Sequence, residues 1–113
     1  MYMEEILKKY NLSLILMHGS QVDGKIHPKS DVDIAVLQKD IHGKIDILKL
    51  YGDFIEYFKN DTIDIVNLAQ ASPLLAFVIA KKSKLLAGSM SNYEKFQFRA
   101  FHKYCDYLPY LRM

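Results

Sequence analysis

Apolar side chains along this chain follow helical spacing in some segments and strand spacing in others. In residues 3–10 they recur at three- and four-residue steps, with acidic and basic residues between them, which predicts a short amphipathic helix. The compact apolar run over residues 12–17 predicts a strand buried on both faces. DVDIAVL, residues 31–37, predicts a second strand whose apolar part enters the core.

The middle of the chain repeats this alternation of helix and strand. Residues 44–58 carry apolar side chains at three- and four-residue steps, which predicts an amphipathic helix that covers a sheet. TIDIVNL, residues 62–68, alternates between apolar and polar positions and is rich in β-branched side chains. That segment predicts a third strand.

A further helix and a short strand are predicted next. Ser72 and Pro73 form a typical helix start, with serine as the N-cap and proline as the first helical residue. This helix should run to about Lys82 and, being apolar nearly all round, should be buried. Residues 84–87 then predict a short edge strand closed by Gly88.

The last predicted helix is rich in aromatic residues. Ser91 to Glu94 (SNYE) fits the capping box that opens a helix, and this helix should run over about residues 91–107 and stop near Pro109. Its aromatic side chains do not fall on one stripe: Phe96, Phe98, Phe101, Tyr104 and Tyr107. They indicate either a surface for a partner or a wide core face with some exposed tyrosines.

These elements predict an α/β (α+β) fold with a small mixed sheet of about four strands, in one domain over residues 1–113. Half of the residues are hydrophobic, a quarter are charged, and the formal charge of +2 gives no argument for direct nucleic-acid binding. The apolar runs are too short to span a membrane, and the first ten residues lack a secretory signal. The lone Cys105 excludes an internal disulfide, so we expect a cytoplasmic protein.

The candidate chemistry lies between the first two strands. Gly19 and Ser20 form a tight turn whose backbone can approach a phosphate. Asp31 and Asp33, one residue apart at the head of a strand, should point to the same side. At about 4 Å and an effective dielectric near 20, two such charges repel by roughly 4 kcal/mol. A divalent cation relieves that repulsion, and oxygen ligands favour Mg²⁺.

A third carboxylate strengthens the prediction of a metal site. Asp64 lies on the third predicted strand and could converge with the Asp31 and Asp33 pair, although Asp61 is a nearby competitor. Three carboxylates would allow the two-metal arrangement used for phosphoryl and nucleotidyl transfer. The four histidines are too scattered to suggest a zinc site.

The pattern G-S-x10-D-x-D, followed by a later strand aspartate, resembles the nucleotidyltransferase superfamily of DNA polymerase β and kanamycin nucleotidyltransferase. The short chain is similar to its minimal members, the MNT or MntA-type antitoxins paired with HEPN ribonuclease toxins. The resemblance implies that Gly19 and Ser20 bind the triphosphate, with Ser30 supporting the loop. It also implies that Asp31, Asp33 and Asp64 bind Mg²⁺, with Asp64 as the base.

The resemblance further implies a reaction and a partner. AMP would pass from ATP to a tyrosine of the HEPN toxin, with which the chain could form a hetero-oligomer, and the aromatic helix would be a candidate toxin contact. Two alternatives stay open: an antitoxin that acts by binding alone, and an enzyme that adenylylates a small molecule. Such small-molecule enzymes usually carry an additional substrate domain.

The chain departs from the family pattern in the loop after Ser20. Many members have an arginine there, whereas this chain has Gln21, Val22 and Asp23, and His18 replaces a more usual aromatic or aliphatic residue. The compensating positive charge could come from one of four lysines: Lys25, Lys29, Lys82 or Lys84.

Overall fold

The computed structural model describes residues 2–19 and 31–111, with the side chains of residues 2–19 and 31–109. Helices and strands alternate along this part of the chain. In chain order they are α1 (Met3–Lys9), β1 (Leu12–His18), β2 (Val32–Gln38), α2 (Ile47–Phe58), β3 (Ile63–Asn67), α3 (Pro73–Lys81), β4 (Ser83–Gly88) and α4 (Met90–Leu111). None of the described helices is long and apolar enough to cross a membrane.

The strands form one mixed sheet in the order β3-β2-β1-β4, which confirms the predicted fold class. β1 is antiparallel to both β2 and β4, and β2 is parallel to β3. A parallel pair needs a crossover connection, and α2 provides it between β2 and β3. Because of this crossover, β2 and β3 start at the same end of the sheet.

Each face of the sheet has its own hydrophobic core. Ile15 and Met17 of β1 pack on the face covered by α1 and α2. Leu14 and Leu16 pack on the opposite face, together with side chains of α3 and α4. Alternate strand residues point to opposite faces, so the continuous apolar run of β1 reflects burial on both sides. We call these surfaces the α1/α2 face and the α3/α4 face.

Two helix starts follow from side-chain caps. The Ser72 hydroxyl accepts a hydrogen bond from the Leu75 N–H at 3.2 Å, which confirms the predicted start of α3. The Asp46 carboxylate accepts one from the Lys49 N–H at 3.2 Å, so α2 begins later than predicted. Aspartate is a strong N-cap, and it outweighs the apolar periodicity that continues before it.

The prediction that α3 is buried was wrong. Ile79 and Ala80 are buried, but Leu74 and Val78 are 46% and 53% exposed. An all-round apolar sequence does not distinguish a core helix from one that keeps an apolar face in solvent.

The predicted ends of α4 were also wrong. The helix starts at Met90, and the Ser89 hydroxyl, not that of Ser91, accepts the capping hydrogen bond, from the Asn92 N–H at 3.1 Å. At the other end the helix includes Pro109 and ends at Leu111. A proline so close to the C-terminal end removes only one of the last hydrogen bonds of the helix.

Candidate active site

Four polar side chains form a row across the sheet. Asp64 of β3 pairs with Asp33 of β2, Asp33 with His18 of β1, and His18 with Ser83 of β4. All four lie on the α3/α4 face, because the residue two positions away within each strand packs into the core on that face. Sheet register thus brings together residues that are far apart in the sequence.

Asp33 is the centre of a group of carboxylates. Asp31 is exposed and immediately precedes β2, so it lies beside the row rather than within a strand. Burial raises the pKa of the Asp33 carboxyl; His18 lowers it, and the charges of Asp64 and Asp31 raise it further. The three predicted aspartates are therefore close enough to interact electrostatically.

Gly19 is required by the position of Asp33. Its φ is +82°, and a Cβ built there would lie 2.5 Å from the Asp33 Oδ2 atom. Only a residue without a side chain allows both this backbone conformation and this close approach. Gly19 therefore allows the backbone at the end of β1 to lie against the Asp33 carboxylate.

Several predicted residues lie outside the described part of the chain: Ser20, Gln21, Val22, Asp23, Lys25, Lys29 and Ser30. For the third carboxylate, the structure distinguishes the two candidates. Asp64 lies opposite Asp33, whereas Asp61 precedes β3 and does not belong to the row.

The remaining lysine candidates differ in position. Lys84 pairs with Met17, and therefore belongs to the α1/α2 face, away from the carboxylates. Lys82 follows α3 and immediately precedes Ser83, the β4 member of the row.

His18 is a site neighbour that the sequence pattern alone did not reveal. Burial lowers the pKa of its imidazole, while Asp33, Asp64 and a backbone hydrogen bond with Ile34 raise it. Its Nε2 atom is buried and has no hydrogen-bond partner within residues 2–19 and 31–109. In the sequence, the only sign of this role was that His18 directly precedes Gly19. That sign becomes interpretable only once the pairing of His18 with Asp33 is known.

The row ends in a hydrogen-bonded pair that fixes α4 to the sheet. The Tyr93 hydroxyl donates to the Ser83 carbonyl at 3.0 Å, and it lies 2.6 Å from the Ser83 hydroxyl. Tyr93 is nearly buried, so these bonds satisfy a hydroxyl that would otherwise be costly to bury.

The donor set suits a metal ion that arrives with a nucleotide. Among the described residues, no group of three histidine, cysteine, aspartate or glutamate side chains could hold a metal ion as it stands. Mg²⁺ is usually bound by one or two carboxylates, with phosphates and water as its other ligands. Asp33, whose pKa is raised by burial and further by the charges of Asp64 and Asp31, fits this role, because a cation would offset the repulsion between these carboxylates.

Comparison with protein families identifies the fold. Residues 2–92 match the family described as polymerase beta, nucleotidyltransferase. The chain belongs to this family. The matched nucleotidyltransferase segment contains Gly19 and all three aspartates of the site.

Individual relatives include a protein adenylyltransferase and a chain of a toxin–antitoxin complex. The chain is 32% identical over 93 residues to the protein adenylyltransferase MntA of Shewanella oneidensis, an alignment that spans 82% of this chain and 66% of that protein, just under two thirds. It is similar, at 27% identity and a TM-score of 0.76, to a chain in the crystal structure of a toxin–antitoxin complex with AMP-PNP, with 96% of this chain and 91% of that chain covered.

A second structural relative shows similarity of fold. A chain in the complex of a tri-AMPylated Shewanella oneidensis HEPN toxin with its MNT antitoxin has 24% identity and a TM-score of 0.69. The similarity covers 96% of this chain and 88% of that chain.

Proposed function

We propose that this nucleotidyltransferase is the antitoxin of a HEPN–MNT pair and transfers AMP from ATP to a tyrosine of its HEPN partner. The observation that carries the proposal is the register of Asp33 with Asp64, with Asp31 beside them. It is supported by the family and by relatives that include an adenylyltransferase and a complex with an ATP analogue.

Each residue of the candidate site has a proposed role in this reaction. Gly19 and Ser20 would hold the triphosphate and Ser30 would support the loop, while Asp31 and Asp33 would bind Mg²⁺, with Asp64 as a further ligand. Mg²⁺, as one or two ions, neutralises phosphate charge when it is bound. Fixing the nucleotide beside the acceptor lowers the entropic part of the barrier.

Asp64 acts as the general base. Its carboxylate takes the proton of the tyrosine hydroxyl while the phenolic oxygen attacks the α-phosphorus. A phosphorus–oxygen bond forms to the tyrosine, the bond to the β-phosphate oxygen breaks, and pyrophosphate leaves in line. Asp64 is exposed at the start of β3, so a protein acceptor can reach it.

The partner is proposed from the relatives and from the surface of the chain. The structural relatives include a HEPN toxin complex, and α4 of this chain exposes Phe98 and Phe101, at 67% and 55%. Exposed aromatic side chains are typical of protein interfaces. We place the pair in the cytoplasm, where ATP is available and a lone cysteine stays reduced.

Intact mass spectrometry tests the reaction. The protein, the HEPN protein encoded by the neighbouring gene, ATP and Mg²⁺ are incubated together, and AMP adducts on the HEPN protein are counted. We expect adducts with the native chain and none with the variant Asp31→Asn/Asp33→Asn. Neutralisation of the HEPN ribonuclease without any adduct would instead indicate an antitoxin that acts by binding alone. Adenylylation of a small molecule would indicate a small-molecule nucleotidyltransferase.

A further inference from the structure

The outer edge of β3 has backbone groups that the sheet does not use. The Val32 N–H donates to the Thr62 carbonyl and the Leu68 N–H to the Val36 carbonyl, both at 2.9 Å. Between these two bonds the parallel register runs without a shift. In a parallel ladder the backbone groups of alternate residues bond to the neighbouring strand. The N–H and C=O groups of Asp64 and Val66 therefore point toward β2.

The N–H and C=O groups of Ile63 and Ile65 consequently point away from the sheet. β3 is the terminal strand in the sheet order, and no backbone hydrogen bond joins these two residues to another element within the described ranges. Such unpaired groups are a template for pairing with another chain.

The two edges of the sheet are protected differently. β4, at the opposite edge, contacts α1 and α4, carries a register shift against β1, and has its Gly88 N–H 3.5 Å from a Glu4 carboxylate oxygen. β3 (IDIVN) has no lysine, proline or bulge, which are three of the usual means of blocking an edge, and its one charged residue is Asp64. Within the described ranges, the less protected edge is therefore the one that carries Asp64.

We propose that an extended segment of the acceptor protein pairs antiparallel with β3 and thereby presents its tyrosine to Asp64. This inference rests on the proposed function, whose base is Asp64. The segment would bond to Ile63 and Ile65, leaving Asp64 in a non-hydrogen-bonded pair, where facing Cα atoms are about 4.5 Å apart. A tyrosine opposite Asp64, or diagonal to it, is within side-chain reach on the same face.

Amide hydrogen exchange measured by NMR tests the pairing without requiring catalysis. On addition of the HEPN protein encoded by the neighbouring gene, with AMP-PNP and Mg²⁺, exchange of the Ile65 amide should slow by about tenfold or more. The Val66 amide, already bonded within the sheet, is the internal control and should change little. Protection elsewhere in the chain, with Ile65 unchanged, overturns the edge proposal and leaves the proposed function standing.

A proline at the edge provides the matched genetic test. Ile65→Pro removes the outward N–H without removing a bond to β2, and proline is tolerated on edge strands. Ile65→Ala shortens the same side chain and keeps the N–H. The proline variant should transfer AMP to the HEPN protein with a KM raised about tenfold over that of the alanine variant, with equal AMP-PNP binding.

The outcomes separate the edge proposal from the proposed function. Equal KM values for the proline and alanine variants overturn edge pairing. Protection of the Ile65 amide that increases with the concentration of this chain, in the absence of HEPN protein, also overturns it, because a second copy would then occupy the edge. Protection of Ile65 without any AMP transfer supports the edge proposal and contradicts the proposed function. If the proline variant does not fold, the exchange measurement on the native chain decides.

Discussion

Asp33 and Asp64 lie directly opposite each other on two parallel strands, although 30 residues separate them in the chain. Their pairing depends on the α2 crossover, which returns the chain so that β3 runs alongside β2 in the same direction. A slip of one residue in this register would move Asp64 to the α1/α2 face. The buried apolar residues of β2 and β3 therefore fix the geometry of the carboxylates.

Gly19→Ala should damage the site because it forces a methyl group against Asp33. The added Cβ would lie 2.5 Å from the Asp33 Oδ2 atom, on a backbone with φ of +82°. The left-handed conformation alone costs an L-residue about 1 to 2 kcal/mol. We expect a lower free energy of unfolding and AMP-PNP·Mg²⁺ binding weakened by about tenfold or more, measured by calorimetry.

Gly52→Ala is the matched control for this substitution. Gly52 lies within α2, and a Cβ there would have no atom within 4 Å. Alanine in a helix interior should raise the free energy of unfolding by about 0.5 to 1 kcal/mol and leave nucleotide binding unchanged. Equal nucleotide affinity of the two variants would contradict the close Gly19–Asp33 packing.

Asp53→Asn should remove a pH-dependent contribution to stability. Burial raises the pKa of the Asp53 carboxyl, but hydrogen bonds from Tyr10 and Lys9 outweigh it and hold the pKa below 3.8. Because the folded-state pKa is depressed, the stabilisation is present at neutral pH and is lost as the pH falls through that pKa. At pH 7 the free energy of unfolding of the variant should be lower by about 1 to 2 kcal/mol.

Denaturant titrations over a pH series check this prediction. The difference in free energy of unfolding between the native chain and the Asp53→Asn variant should decrease progressively as the solution is acidified below about pH 4. Tyr10→Phe is the control, since it removes one donor and keeps the carboxylate. A difference that is constant with pH would mean that Asp53 does not link α1 and α2 through its charge.

Two phenylalanines of α4 should respond oppositely to truncation. Phe96 is 6% exposed and Phe98 is 67% exposed. Phe96→Ala should cost about 3 to 5 kcal/mol of unfolding free energy because it leaves a cavity. Phe98→Ala should change stability by no more than about 0.5 kcal/mol, yet weaken binding to the HEPN protein in a pull-down or calorimetric titration. Unchanged binding would exclude Phe98 from the interface.

The sequence predicted local features better than relationships between distant segments. The strand that follows Asp31 and the cap at Ser72 depend on nearby residues, and both were predicted to within a residue. Ser91 has the pattern of a capping box, but Ser89 lies two residues earlier and caps the helix instead. Local signals such as these do not reveal which of several competing residues the packed structure uses.

The candidate site was predictable as residue types but not as an arrangement. Asp33 and Asp64 were both predicted as candidate site residues, whereas the pairing of Asp64, and not of Asp61, with Asp33 is visible only in the β2–β3 register. The position of His18 next to Asp33 likewise follows only from strand pairing. Register is set by which side chains are buried in the assembled sheet, so a single sequence leaves it undetermined.

The most direct test of the account compares Asp64→Asn with Asp61→Asn in AMP transfer to the HEPN protein, with AMP-PNP binding measured in parallel. Asp64→Asn should lower the rate of transfer by about a hundredfold or more, as expected for loss of a general base. Asp61→Asn should transfer AMP at the native rate. Native-like transfer by the Asp64 variant, or loss of transfer in the Asp61 variant alone, would contradict our proposal that the Asp33–Asp64 pair is the catalytic centre.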